Sequence, residues 1–137
     1  MKLSTLRTLT LSLSAIIAPV GLMAQAPIHA TIPFDFTVGS KLLTAGEYQV
    51  KELNHIYLAV QKVDGKSNAV VLANRSGDHS PSGKVSLTFR RYGTHYFLAK
   101  VAHFDQGWEV TKSRSEKAVL SKMTPATQIE LAAAISK

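Results

Sequence analysis

The chain of 137 residues contains no cysteine. That absence excludes the disulfides on which many small exported domains rely. It also excludes a lipid attached to an N-terminal cysteine and a thiolate nucleophile. Carboxylates are scarce as well, nine Asp and Glu against sixteen Lys and Arg, and no two of them are spaced for acid–base catalysis. No Gly-x-Ser-x-Gly elbow is present, so the usual strand–turn–helix presentation of a nucleophilic serine is missing. There is no internal repeat and no low-complexity tract. Beyond the first two dozen residues no apolar run approaches the ~20 residues needed to cross a bilayer as a helix, so the mature chain is expected to carry no transmembrane span.

What is present begins with an export signal. Lys2 and Arg7 supply a basic start, and Leu9, Leu11, Leu13, Ala15, Ile16, Ile17 and Ala18 an apolar run of roughly a dozen residues. Pro19 and Gly21 then break any helix ahead of small residues that suit a peptidase. Cleavage after Ala26 would leave Pro27 immediately beyond the cut. Cleavage after Ala24 avoids that proline and is preferred. Residues 1–24 are therefore read as a signal peptide, with the protein exported to the periplasm or the extracellular space. Removing residues 1–24 from 137 leaves 113, the size of one domain. Removing Lys2 and Arg7 takes the formal net charge from +7 to +5. Export demotes nucleic acid as a partner for this charge, and an anionic envelope polymer or another envelope protein takes its place.

The mature chain reads as strands separated by turn clusters. In Thr31–Val38, Ile32, Phe34, Phe36 and Val38 share one face, a period of two that defines a half-buried strand. Glu47–Leu53 places Tyr48 and Val50 inward, and His55–Lys62 places Ile56, Leu58 and Val60 inward. Asp64-Gly65 marks a hairpin, because both residues tolerate positive φ. Ala69–Ala73 is apolar throughout, which predicts a strand covered on both faces. Residues 74–83 read as an exposed loop. Lys84–Tyr92 alternates again, with Val85, Leu87 and Phe89 inward. His95–Phe104 has Phe97, Ala99 and Val101 on one face and Tyr96, Leu98 and Ala102 on the other, and a short strand near Trp108–Val110 follows. Then the period changes. Ser113-Arg114-Ser115-Glu116 fits a capping box, and Thr124-Pro125 can open a second helix. The predicted fold is all-β, a small antiparallel sandwich or partly closed barrel of about six to eight strands. It forms a single β-rich domain over 25–137 with a helical C-terminal tail from about residue 113.

Three stretches resemble a group of small, uncharacterised exported proteins, mainly of acidobacteria. They are Ile32-Pro33-Phe34-Asp35-Phe36-Thr37-Val38-Gly39, then Leu43-Thr44-Ala45-Gly46-Glu47-Tyr48-Gln49-Val50, and Arg91-Tyr92-Gly93 with Tyr96-Phe97-Leu98 and Lys112-Ser113-Arg114-Ser115-Glu116. The resemblance covers roughly residues 28–120. Similar proteins often carry proline where Thr44 stands. The group has no assigned activity, so the likeness implies export and a compact β domain and transfers no functional residue.

Four site readings compete. A metal centre would draw on His29, His55, His79, His95 and His103, but no His-x-His or His-x-x-x-His pair exists. His95 and His103 lie about 26 Å apart along an extended strand. His103 and Asp105 are close enough to share an ion but lack a third ligand. No metal and no other cofactor is assigned. A small secreted hydrolase would use Ser76, Asp78 and His79, yet these sit nearly consecutively, whereas a triad is assembled from separate elements. No catalytic residue is assigned, and the chain is not read as an enzyme. A carrier of a small lipophilic ligand would line a barrel cavity with Phe34, Phe36, Tyr48, Phe89 and Phe97, residues that more often fill a core of this size. The favoured reading is a non-catalytic binding or structural protein of the envelope. Its contact residues are Arg90, Arg91, Tyr92, His95 and Lys100 on one hairpin, with Lys112 and Arg114 later in the chain. Arginine beside tyrosine suits bidentate and stacking contacts with anionic or sugar-bearing polymers.

Overall fold

Alternating side chains, not disulfides, build the interior of this protein. A computed structural model describes residues 26–77, 84–104, 106–123 and 127–135; residues 1–24, the expected signal segment, lie outside the described residues. Eleven strand segments and one helix follow along the chain: β1 (Ile28–Ile32), β2 (Phe36–Val38), β3 (Lys41–Leu43), β4 (Gly46–Asn54), β5 (Tyr57–Lys62), β6 (Asn68–Ser76), β7 (Ser86–Tyr92), β8 (His95–His103), β9 (Gln106–Val110), α1 (Arg114–Leu120), β10 (Thr127–Ala132) and β11 (Ala134–Ile135). The fold is mostly β with one short helix, as the alternation predicts. The count exceeds eight because β2, β3 and β11 are fragments of two or three residues.

Neighbouring strands run in the order β10-β7-β8-β9-β6-β5-β4-β1-β11. The ladders along this path are antiparallel, and β2 adds a parallel contact, Thr37 beside Phe97, where β9 no longer covers β8. The sheet curls around Ile28, Ile32, Tyr48, Val50, Leu58, Val60, Val71, Leu87, Phe89, Leu98, Val101 and Trp108, all buried. Fully burying a side chain of this kind stabilises by about 1.5–3 kcal/mol. β10 and β11 belong to one terminal segment that lies on β7 and then on β1, the two ends of the path. The sheet is not closed: among the described residues β11 meets β1 at Ile28 and His29 alone, and that edge of β1 is unpaired beyond them. An open groove of about 500 Å³ follows, lined by His29, Thr31, Glu47 and Ala132 to Ala134.

Several expectations are corrected. Residues 127–135 are strand, not a second helix; 124–126 lie outside the described residues. Ile129, Leu131, Ala133 and Ile135 alternate with exposed neighbours, a period of two that the alanines' helix propensity masks. Pairing with β7 and β1 overrides that propensity. Asn74, Arg75 and Ser76 extend β6 along β9 and are not loop. Ala69, Val71 and Ala73 are buried, but Val70 is 60 % exposed and Leu72 43 %. β6 is therefore covered on one face only, and Tyr57 and Ala59 stand opposite Leu72 and Val70 on the bare face. Ile56, expected inward, is exposed, because the chain is already turning there: Asn54 Oδ1 accepts from the backbone N–H of Ile56 and Tyr57. The Asp64-Gly65 hairpin forms with positive φ at Gly65 alone, while Asp64 Oδ1 accepts from Lys66 N–H.

The predicted face assignment in β8 fails for one physical reason. Thr88 pairs with Lys100 and Phe89 with Leu98, so Ala99 is bulged out of the ladder. A bulge exchanges the two faces beyond it. Leu98 and Val101 consequently both point into the core, and Phe97 lies on the outer face.

Candidate functional site

The five predicted contact residues share a hairpin but not a face. Period two along β7 sends Phe89 into the core and Arg90 and Tyr92 to the outer side, where α1 covers them. There the Glu116 carboxylate, 2 % exposed, is gripped from two sides. Arg90 Nε donates to Oε1 and Arg90 Nη2 to Oε2 at 3.1 Å. The Tyr92 hydroxyl donates to Oε1 at 3.0 Å. Arg90 Nη2 also donates to the Val110 carbonyl at 3.3 Å. Tyr92 packs edge-on against Phe97, ring centroids 5.7 Å apart. Burial pushes the Tyr92 phenol above its ordinary value of 10.0, and the hydrogen bond to Glu116 acts in the same direction. Arg90 and Tyr92, two of the five expected contact residues, thus face α1 and fasten it to the sheet.

The capping signal is half realised. Ser113 Oγ accepts from Glu116 N–H at 3.2 Å, as predicted. The Glu116 side chain, which in a capping box would return to the Ser113 backbone, turns instead into the sheet to meet Arg90 and Tyr92. A buried guanidinium is a stronger partner for a carboxylate than a neutral amide.

Arg91 behaves differently. It is exposed, its Nε donates to the Gly93 carbonyl at 2.8 Å, and its guanidinium lies 5.5 Å from the centre of the Tyr96 ring. Tyr96 in turn stacks on Phe34 at 3.9 Å. His95 is exposed at the same turn and borders a shallow groove of about 220 Å³ with Val119, Lys122 and Met123. The turn itself needs Gly93, whose φ of 59° is strained for any residue with a Cβ. Lys100 lies farther along β8, between Thr88 and Glu109 in the ladders. Arg91, His95 and Lys122 therefore lie at the β7–β8 turn end of the sheet, and Lys100 lies in the middle of β8.

The other predicted sites disperse. Phe36, Tyr48 and Phe89 meet ring to ring with centroids 5.0 and 5.5 Å apart, Phe34 meets Phe89 at 5.1 Å, and Phe97 is outside the core. The set proposed to line a cavity occupies that space itself. Asp78, His79 and Asp105 lie outside the described residues, whereas Ser76 ends β6. Among the described residues no three His, Asp or Glu side chains are close enough to hold a metal ion, and no helix is long and apolar enough to cross a membrane. The chain matches no family model, no curated protein and no solved structure.

Sequence reasoning missed a second constellation, at the opposite end of the sheet. Glu52, His103 and Trp108 line a small recess there together with Ile28, Leu58 and Val101. Arg75 Nη2 donates to Glu52 Oε1 at 2.8 Å. Arg75 stands opposite Trp108, and His103 opposite Gln106, in the ladders. His103, Gln106 and Trp108 are neighbours in the chain, but Glu52 and Arg75 come from β4 and β6, and the β8 bulge decides which way His103 points, so no local motif announces the set.

Proposed function

We propose that this is an exported, non-catalytic binding protein of the cell envelope whose contact surface is the β7–β8 turn end of the sheet, and that its partner is an anionic envelope polymer. The observation that carries the proposal is Arg91. It is an exposed arginine held in place by Gly93 and by the Tyr96–Phe34 stack. With Nε engaged, its two terminal nitrogens have no hydrogen-bond partner among the described residues, a geometry suited to bidentate capture of a carboxylate, sulfate or phosphate. His95 and Lys122 add positive or protonatable groups at the same end, and the mature chain's charge of +5, after removal of Lys2 and Arg7 from +7, points the same way. The basic, apolar, small-residue order of residues 1–24 supports export. The interior-carrier reading has less support, because the rings that would line a cavity fill it.

The test is retention of the purified protein on isolated envelopes. Joint Arg91→Ala and Lys122→Ala substitution should weaken retention about tenfold at low salt. The difference should shrink as ionic strength shortens the ~10 Å Debye length of 0.1 M salt. Arg90 stays intact throughout, since it holds α1. Equal retention of the double variant and the natural protein would end this reading.

A further inference from the structure

β1 lies between two neighbours but is fully paired with only one. β4 covers all of it, from Ile28 opposite Val50 to Ile32 opposite Gly46. On the other edge β11 meets Ile28 and His29 alone. The terminal segment leaves β1 there because Ala132 pairs with Ser86 on β7 and the Ala133 N–H donates to the Val85 carbonyl. Among the described residues, Ala30, Thr31 and Ile32 therefore present an unpaired strand edge, and such an edge is a template for another strand. Pro33 follows and, lacking an N–H, ends the run of donors. The open groove of about 500 Å³ lies along this edge, with Ala30 and Thr31 on one side and Ala132 to Ala134 on the other. Ligand sites span roughly 300–1,000 Å³. Strand alternation gives the groove two layers. Ala30 and Tyr48, both buried, form the inner layer with Ala133, which packs against the core. His29, Thr31 and Glu47 form the outer layer, Thr31 opposite Glu47 in the ladder. The Tyr48 hydroxyl donates to the Thr44 carbonyl, and Lys62, opposite Tyr48, is engaged by Thr44 Oγ1 and Asp64. The side chains of His29, Thr31 and Glu47 have no hydrogen-bond or ion-pair partner among the described residues.

We infer that this groove receives an extended peptide with a basic side chain, which pairs with β1 through its backbone. The incoming N–H and C=O groups meet those of Ala30 to Ile32, the mode of β-strand addition. Inward residues of the peptide rest on Ala30, Tyr48 and Ala133, where small or β-branched apolar side chains fit. An outward lysine or arginine meets the Glu47 carboxylate. A strand added beside β1 stands two ladder spacings, about 10 Å, from β4, a gap that an extended lysine and a glutamate bridge together. The Thr31 hydroxyl between them donates or accepts, and the His29 imidazole, when neutral, does both. This preference for a cation opposes the protein's own charge, +5 once Lys2 and Arg7 are removed from +7, so Glu47 supplies it locally. The groove is separate from the anion-selecting surface: Arg91 faces Thr127 at one end of β10, and Ser86 faces Ala132 at the other.

The isotope-labelled protein is titrated at neutral pH with three peptides, and its backbone amide resonances are followed by nuclear magnetic resonance. Acetyl-Lys-Val-Lys-Val-Lys-amide should shift the amides of Ala30, Thr31 and Ile32 saturably. The same peptide with every backbone amide N-methylated keeps its charges but loses its donors, and should bind about tenfold more weakly or worse. Acetyl-Glu-Val-Glu-Val-Glu-amide should also bind about tenfold more weakly at these resonances, although the net charge of the protein favours it. Glu47→Gln, a change at an exposed residue, should keep the folded spectrum and erase the difference between the lysine and glutamate peptides. Equal binding of the N-methylated and unmodified peptides would overturn the proposal. So would the absence of a saturable shift at Ala30 to Ile32, the result expected if water alone covers the edge. A dimer that perturbs the same resonances without peptide, detected by sedimentation at rising protein concentration, would overturn it too, because a second copy would then be the occupant.

Discussion

Removing Glu116 should be the most damaging single change on the outer face of this protein. Glu116→Ala takes away both carboxylate acceptors of Arg90 and the acceptor of the Tyr92 hydroxyl. The Arg90 side chain, 11 % exposed, is left with the Val110 carbonyl alone. Breaking one partner of a buried ion pair costs about 3–5 kcal/mol, and the remaining exposure of Arg90 places this case at the lower end. A further contribution of about 1 kcal/mol comes from the orphaned phenol. The expected loss is thus about 3–4 kcal/mol, roughly 12–16 °C in Tm for a domain of this size. The assay is guanidinium unfolding followed by circular dichroism for Glu116→Ala, Arg90→Met and the double variant. The two single losses should not add, because each leaves an uncompensated charge that the double variant lacks. A coupling of about 2–3 kcal/mol is expected. If each single change costs under about 0.5 kcal/mol, or if the losses simply add, then Arg90 and Glu116 do not fasten α1 as argued.

Two further outcomes follow from burial. Val71→Lys should cost several kcal/mol by forcing an unpaired charge into the core, whereas Val70→Lys, one residue away on the bare face, should stay within about 0.5 kcal/mol. Matched denaturant curves decide this, and equal losses would mean that both faces of β6 are covered. Burial raises the Tyr48 and Tyr92 phenols above 10.0, so each favours the folded state while it keeps its proton. Their contribution is complete below pH 10.0 and is lost as pH climbs from there through the folded-state values. Denaturant midpoints should fall above pH 10.0, and Tyr92→Phe should flatten that fall.

Much of the strand pattern is legible in single segments because the period of two needs no partner to be seen. Ile32, Phe36 and Val38, Tyr48 with Val50, and Leu87 with Phe89 face inward for that reason alone. Segments whose local preference and tertiary partner disagree are not legible. The alanines near the C-terminus favour helix in isolation, and only β7 and β1 turn them into strand. Ala69–Ala73 carries apolar residues on both faces, and nothing local reveals that one face stays bare. The bulge at Ala99 reverses the expected faces of β8, so Phe97 leaves the core and His103 joins the end recess.

The candidate sites divide along the same line. Composition alone dictates that the domain folds without disulfides and carries excess positive charge, because counting residues requires no geometry. The sequence also brings Arg90 to Lys100 to one hairpin, since neighbours in a hairpin are neighbours in the chain. Only the tertiary structure decides that Arg90 spends its charge on Glu116 from a helix more than twenty residues later while Arg91 keeps its own at the surface. Side-chain direction in a strand alternates with each residue, and which direction is buried depends on what the rest of the chain lays against it.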